Sequence, residues 1–139
     1  MTNIHPSTWL KNALLADAAV SGATALLQTA ATPTLVSLLG LPAGLLLETG
    51  LFMIGYCGLL IWLARRVRLS VIWIELIVAG NLLWAVGCAI VLLQAKTLAT
   101  SPLGQAFVIV QAIAVLAFAA LEWAGLKRSV RGGSAARFA

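Results

Sequence analysis

Residues 69–94 read LSVIWIELIVAGNLLWAVGCAIVLLQ, a run whose sole charge is Glu75. About 20 apolar residues, at a 1.5 Å rise each, cover the roughly 30 Å hydrocarbon core of a bilayer, so this run is long enough to cross one as a helix. Three further stretches have the same character: 9–32, 41–64 and 103–126. The whole chain of 139 residues is 62% hydrophobic and 9% charged, with a mean hydropathy of +1.04, far from the roughly 25% charge of an average soluble domain. The fold class that follows is all-α: an integral membrane bundle of four transmembrane helices. Residues 1–130 form this single domain, and 131–139, with Gly132, Gly133 and Ser134, read as a flexible basic tail.

The basic residues orient the bundle. Lys11 opens the first segment; Arg65, Arg66 and Arg68 fall between the second and third; Lys127, Arg128, Arg131 and Arg137 follow the fourth. Lys96 stands alone on the opposite side, so the positive-inside rule places both termini in the cytoplasm. Trp9, Trp62, Trp73 and Trp123 come out near that same edge, where an amphipathic indole ring is favoured. A net charge of +5 also raises the question of nucleic acid. The charges hug the membrane boundaries, however, so Arg65, Arg66, Arg68, Lys127 and Arg128 are assigned to anionic lipid headgroups or acidic partners, and nucleic acid is excluded. Lys11 and the apolar run ending at Ala30 and Ala31 have the outline of a secretory signal, but Asp17 interrupts it and a spanning helix is the better reading.

Prolines mark the boundaries. Pro33 ends or kinks the first helix, while Pro42 and Pro102 sit in the first turns of the second and fourth, where the missing amide donor does no harm. Residues 34–40 are too short to span and form a turn or a brief interfacial helix. The halves also match weakly: Pro42 and Gly44 with Pro102 and Gly104, Asp17 and Gly22 with Glu75 and Gly80, Trp62 with Trp123. One reading is a two-fold repeat of helix pairs about an axis along the membrane normal; chance alignment of leucine- and alanine-rich segments is the other. Cys57 and Cys88 lie about 12 Å and about 28 Å from the cytoplasmic side. A disulfide needs Cα atoms within about 7 Å, so both are read as free thiols.

All four acids, Asp17, Glu48, Glu75 and Glu122, lie inside the apolar segments. A charge at the bilayer centre costs from about 2.5 kcal/mol to several times that, which makes each a candidate functional residue. Asp17, Ser21, Thr24 and Gln28 follow spacings of 4, 3 and 4 and fall within about 60° of one another on one helix face. Gly104, Gln111, Phe118 and Glu122 share a face of the fourth helix, and Gly44, Glu48, Gly55 and Trp62 one of the second. By depth, Asp17, Glu75 and Glu122 form an inner layer about 6 to 10 Å from the cytoplasmic ends, Asn81 and Gln111 a middle layer, and Glu48 and Gln28 an outer one. The inner acids are within reach of the flanking arginines and Lys127, so structural pairing is a competing role. Glu75 and Asn81 point about 120° apart, so one of them is directed at a second subunit in a homodimer or larger membrane complex.

Other chemistry is missing. His5, the single histidine, precedes the first helix, so no haem pair or histidine metal site is expected, and no Cys-x-x-Cys, phosphate-binding glycine loop or catalytic triad occurs. No enzyme, cofactor or metal is expected. A quinone or lipid contact site needs little more than apolar walls and a polar group or two. The stretches Trp9 to Asp17, Gly40-Leu41-Pro42, Asn81-Leu82-Leu83-Trp84 and Ala106 to Ala112 resemble an uncharacterised group of four-helix bacterial inner-membrane proteins, which implies this topology and a bacterial inner-membrane location without an activity. Asp17 followed by Gly22, Ala23 and Thr24 is more loosely similar to the small multidrug-resistance transporters, which would make Asp17 a coupling carboxylate. Two functions therefore compete: a proton- or cation-linked transporter or channel, with Asp17, Ser21, Thr24, Gln28, Glu48, Glu75, Asn81, Gln111 and Glu122 along its polar path, and a non-catalytic membrane subunit or scaffold held together by those residues.

Overall fold

The computed structural model describes residues 2–131, so the tail 132–139 lies outside the described residues. The element order is β1 (Asn3–His5), α1 (Thr8–Ala30), α2 (Thr32–Leu39), α3 (Ala43–Ala64), β2 (Leu69–Ser70), α4 (Val71–Leu93), α5 (Pro102–Lys127) and β3 (Val130–Arg131). The four long helices, α1, α3, α4 and α5, are each long and apolar enough to cross a membrane. The chain is an all-α membrane bundle, with helix ends within a few residues of those read from the sequence.

Local chemistry sets the ends. Ser7 caps α1 by accepting the Leu10 amide at 3.1 Å, and Ser101 caps α5 by accepting Gly104 at 3.0 Å, each satisfying a donor that the helix cannot. Pro33 does not kink α1: the helix stops at Ala30 and α2 restarts with the proline in its first turn, where it costs no hydrogen bond. Gly40 ends α2 in the left-handed region at φ 63°, and a Cβ there would lie 2.5 Å from the Ala99 carbonyl oxygen. Ser101 fastens this corner by donating its amide to Leu39 (2.9 Å) and its hydroxyl to Leu38 (2.7 Å).

The opposite end carries a feature that hydropathy could not reveal. β1 pairs antiparallel with β2, Ile4 opposite Leu69, and with β3, His5 opposite Val130. Residues 3–5, 130–131 and the end of the α3–α4 connection therefore meet in one small sheet on one side of the bundle. Residues 69–70, read from sequence as the start of the third helix, and Arg131, read as tail, are instead strand, because their backbones pair with β1.

α1 packs along α3, α4 packs along α5, and α1 joins the two pairs through α5. Glycine allows the close approaches: a Cβ on Gly50 would meet Thr29 Cγ2 at 2.9 Å, and one on Gly125 would meet Leu10 Cα at 2.8 Å. Two antiparallel pairs are the organisation that a two-fold repeat implies, yet its symmetry is broken. The partner of the α1–α5 interface would be α4–α3, and those two helices are not a packed pair.

Candidate functional site

Side chains from all four spanning helices, two of them from α1, enter a single hydrogen-bonded network. Asp17 on α1 and Glu122 on α5 are both 0% exposed. Ser21 donates to Asp17 Oδ1 at 2.7 Å, and the Tyr56 hydroxyl on α3 donates to Asp17 Oδ2 at 2.9 Å while lying 3.2 Å from Asn81 Oδ1. Asn81 on α4 uses both amide hydrogens, one toward Asp17 Oδ2 at 3.3 Å and one toward Glu122 Oε2 at 3.1 Å. The two acids are thus unequal. Asp17 accepts three donors, whereas Glu122 accepts one and its Oε1 is buried without a partner. An unpaired buried polar atom is costly, and one in a native interior calls for an explanation such as a held proton or a bound ion.

An apolar layer and a cleft border the network. On the sheet side, Leu10, Leu14, Leu60, Leu63, Ile74 and Ile77 form a buried apolar layer, preceding Asp17 and Asn81 and following Tyr56 along their helices. Ser21, Tyr56 and Asn81 also line a cleft of about 500 Å³ between α3 and α4, which begins on the sheet side of the network at Leu59, Trp73, Leu76 and Ile77. It extends past Thr49, Met53, Gly80, Trp84 and Gln111 toward Gln28, Leu46 and Cys88 near the α2 end.

The cations stay outside the apolar layer. Arg66 stacks on Trp62 at 4.2 Å, Arg128 on Trp9 at 4.5 Å and Lys127 on Trp123 at 5.5 Å, while Trp73 packs edge-on against Trp62 at 6.0 Å. Cation–π contacts of this kind take the place of the arginine–acid pairs envisaged for the inner acids. Among the described residues, no hydrogen bond joins Asp17 or Glu122 to a cation. Arg65 and Arg68 are exposed at the same end.

The residues singled out in the sequence separate accordingly. Asp17, Ser21, Asn81 and Glu122 come together. Gln28 is buried but belongs to the outer part of the cleft, within 3.2 Å of Thr49, and Gln111 lies in its wall, bonded to Trp84. Thr24 leaves the stripe, half-buried and spending its hydroxyl on the Val20 carbonyl. Glu75 is exposed and does not join an inner trio, because Asn81 on the same helix points inward and Glu75 is about 120° away. Glu48 is also exposed, and so are Gly44, Gly55 and Trp62, so that whole face of α3 turns outward. The sequence reading missed Tyr56, although the chain's single tyrosine, halfway along a spanning segment, was a signal for a polar group needing a partner. Cys57 and Cys88 are free and buried, and no group of metal-ligating side chains occurs among the described residues. No family model, no curated protein and no solved structure matches the chain.

Proposed function

We propose that this chain is a small transporter of the bacterial inner membrane whose carboxyl pair, Asp17 and Glu122, takes up and releases a proton or small cation. The supporting observation is the asymmetric pair itself. Asp17 is fully provided with donors, Glu122 retains an unpartnered oxygen, and Asn81 couples them so that a change of charge on one alters the hydrogen bonding of the other. Ser21, Tyr56 and Asn81 face the cleft, so the network that holds the pair reaches a gap in the bundle wall. Both termini are assigned to the cytoplasm, with Arg65, Arg66, Arg68, Lys127 and Arg128 at anionic headgroups.

The test is reconstitution into liposomes with an internal pH indicator, under an imposed potential. Wild-type protein is expected to dissipate a proton or cation gradient faster than empty liposomes, and Asp17→Asn and Glu122→Gln to fall toward the empty rate while keeping their elution volume and helicity. Equal rates for wild type, both variants and empty liposomes sink the proposal.

One observation favours the alternative of a non-catalytic subunit or scaffold. Asp17, Tyr56, Asn81 and Glu122 come one from each spanning helix, so the network also clamps the bundle. Loss of folding in Asp17→Asn, together with a stoichiometric partner on purification, is the outcome that reading requires.

A further inference from the structure

The α3–α4 cleft has a chemistry of its own beyond the carboxyl network that reaches its wall through Ser21, Tyr56 and Asn81. Its volume of about 500 Å³ falls within the roughly 300–1,000 Å³ of small-molecule sites. It exists because α3 and α4 are not a packed pair, and the wall on α4 carries Gly80 and Gly87, at each of which an added Cβ would meet nothing within 4 Å. A gap between two membrane-spanning helices opens to the bilayer, so a ligand enters sideways from the lipid.

The lining defines the ligand. It contains no Arg, Lys, Asp or Glu, so an anionic phosphate head finds no cation and an ammonium head no carboxylate in the wall. Among its polar groups, Ser21, Gln28, Thr49, Tyr56, Asn81 and Gln111, the last supplies a fixed donor. Indole Nε1–H is a donor only, so the 3.3 Å contact from Trp84 holds the oxygen of the Gln111 amide. The Gln111 amino group is then left for another acceptor, and among the described residues it has none. Phe52 and Trp84, stacked on each other with centroids 6.1 Å apart and planes at 15°, form an aromatic part of that wall.

We infer that this cleft binds a neutral amphiphile of the bilayer with a flat, carbonyl-bearing head and an apolar chain, the chemistry of a prenylated quinone. A ligand carbonyl accepts from the Gln111 amino group, the ring lies against Phe52 and Trp84, and the chain runs along Leu45, Leu76, Leu83 and Val91.

The test uses protein in nanodiscs titrated with 2,3-dimethoxy-5-methyl-6-decyl-1,4-benzoquinone and followed by tryptophan quenching. Decylbenzene and dioleoylglycerol serve as competitors. Saturable quenching is expected in wild type, with affinity about 5–10-fold weaker in Gln111→Leu, the worth of one neutral hydrogen bond. Gly87→Phe, placed where an added Cβ meets nothing within 4 Å, is expected to abolish it while keeping the wild-type elution volume and helicity. The inference is overturned if Gly87→Phe quenches like wild type, if decylbenzene competes as well as the quinone, or if dioleoylglycerol displaces the quinone at equal concentration and so shows an acyl lipid to be the occupant.

Discussion

Asn81 Nδ2 donates to Glu122 Oε2 across 3.1 Å, and the same nitrogen lies 3.3 Å from Asp17 Oδ2, so one neutral amide on α4 joins carboxyls from α5 and α1. Asn81→Leu removes the one donor that Glu122 possesses. Stranding a buried polar group costs about 1–3 kcal/mol, and a loss of that size is expected in detergent-solubilised unfolding. Removing both partners is cheaper than removing one, because nothing polar is then left unpaired. The double variant Asn81→Leu/Glu122→Leu is therefore expected to regain part of the loss, and a strictly additive further loss would show that the amide does not serve Glu122.

The four acids are not equivalent, and substitution should separate them. Glu48→Leu and Glu75→Leu alter exposed positions and are expected to change stability by no more than about 0.5 kcal/mol. Asp17→Leu leaves the donors of Ser21, Tyr56 and Asn81 without an acceptor, and a loss of at least about 1–3 kcal/mol is expected. Unfolding midpoints of the three variants in one detergent decide the matter.

That division shows where the sequence was legible. The spans could be read because length and hydropathy are physical requirements of the bilayer, met residue by residue in a stretch such as 71–93. The inward face of α1 could be read because Asp17 and Ser21 are one helical turn apart. Periodicity fixes angles within a helix but not the rotation of one helix against another, so Glu75 and Asn81 could be placed about 120° apart without showing which of them faces in. Tyr56 and Thr49 enter their hydrogen bonds through the α1–α3 interface, whose register depends on the close approach at Gly50. The sheet was invisible for a different reason: strands of two or three residues have no period to detect.

Glycine substitutions test the packing independently. At Gly125 a Cβ would stand 2.8 Å from Leu10 Cα and 3.0 Å from Trp9 Cδ1, and backbone cannot step aside as the tip of a flexible side chain can. Gly125→Ala is expected to destabilise by about 1–3 kcal/mol, as overpacking does. Gly55→Ala and Gly58→Ala meet nothing within 4 Å and are expected to stay within about 0.5 kcal/mol of wild type. If all three behave alike, α1 and α5 do not approach as closely as described.

Orientation is open to labelling. The sheet places β1 and β3 on one side of the bundle, and the basic residues predict that this side is cytoplasmic. In a background lacking Cys57 and Cys88, Ser129→Cys is expected to resist a membrane-impermeant maleimide in intact cells and to react in inverted vesicles. Thr97→Cys, exposed at the opposite end beside Lys96, is expected to show the reverse pattern.

The sheet itself is expected to lock that end. Ile4 is 1% exposed and packs in the same apolar layer as Leu10, Leu60, Leu63 and Leu69, while its strand hydrogen-bonds to β2 on one side and β3 on the other. Ile4→Ala removes the central anchor of the strand from the apolar layer on the sheet side of the carboxyl pair. Truncating a buried isoleucine costs about 2–5 kcal/mol, and much of this cost is expected to appear as local opening rather than global unfolding, because the four helices keep their own interfaces. Trypsin cleavage at Arg65, Arg66 and Arg68, which directly precede β2, should therefore accelerate in Ile4→Ala while the helical signal persists. Cleavage at the wild-type rate would mean that β1 does not restrain the α3–α4 connection.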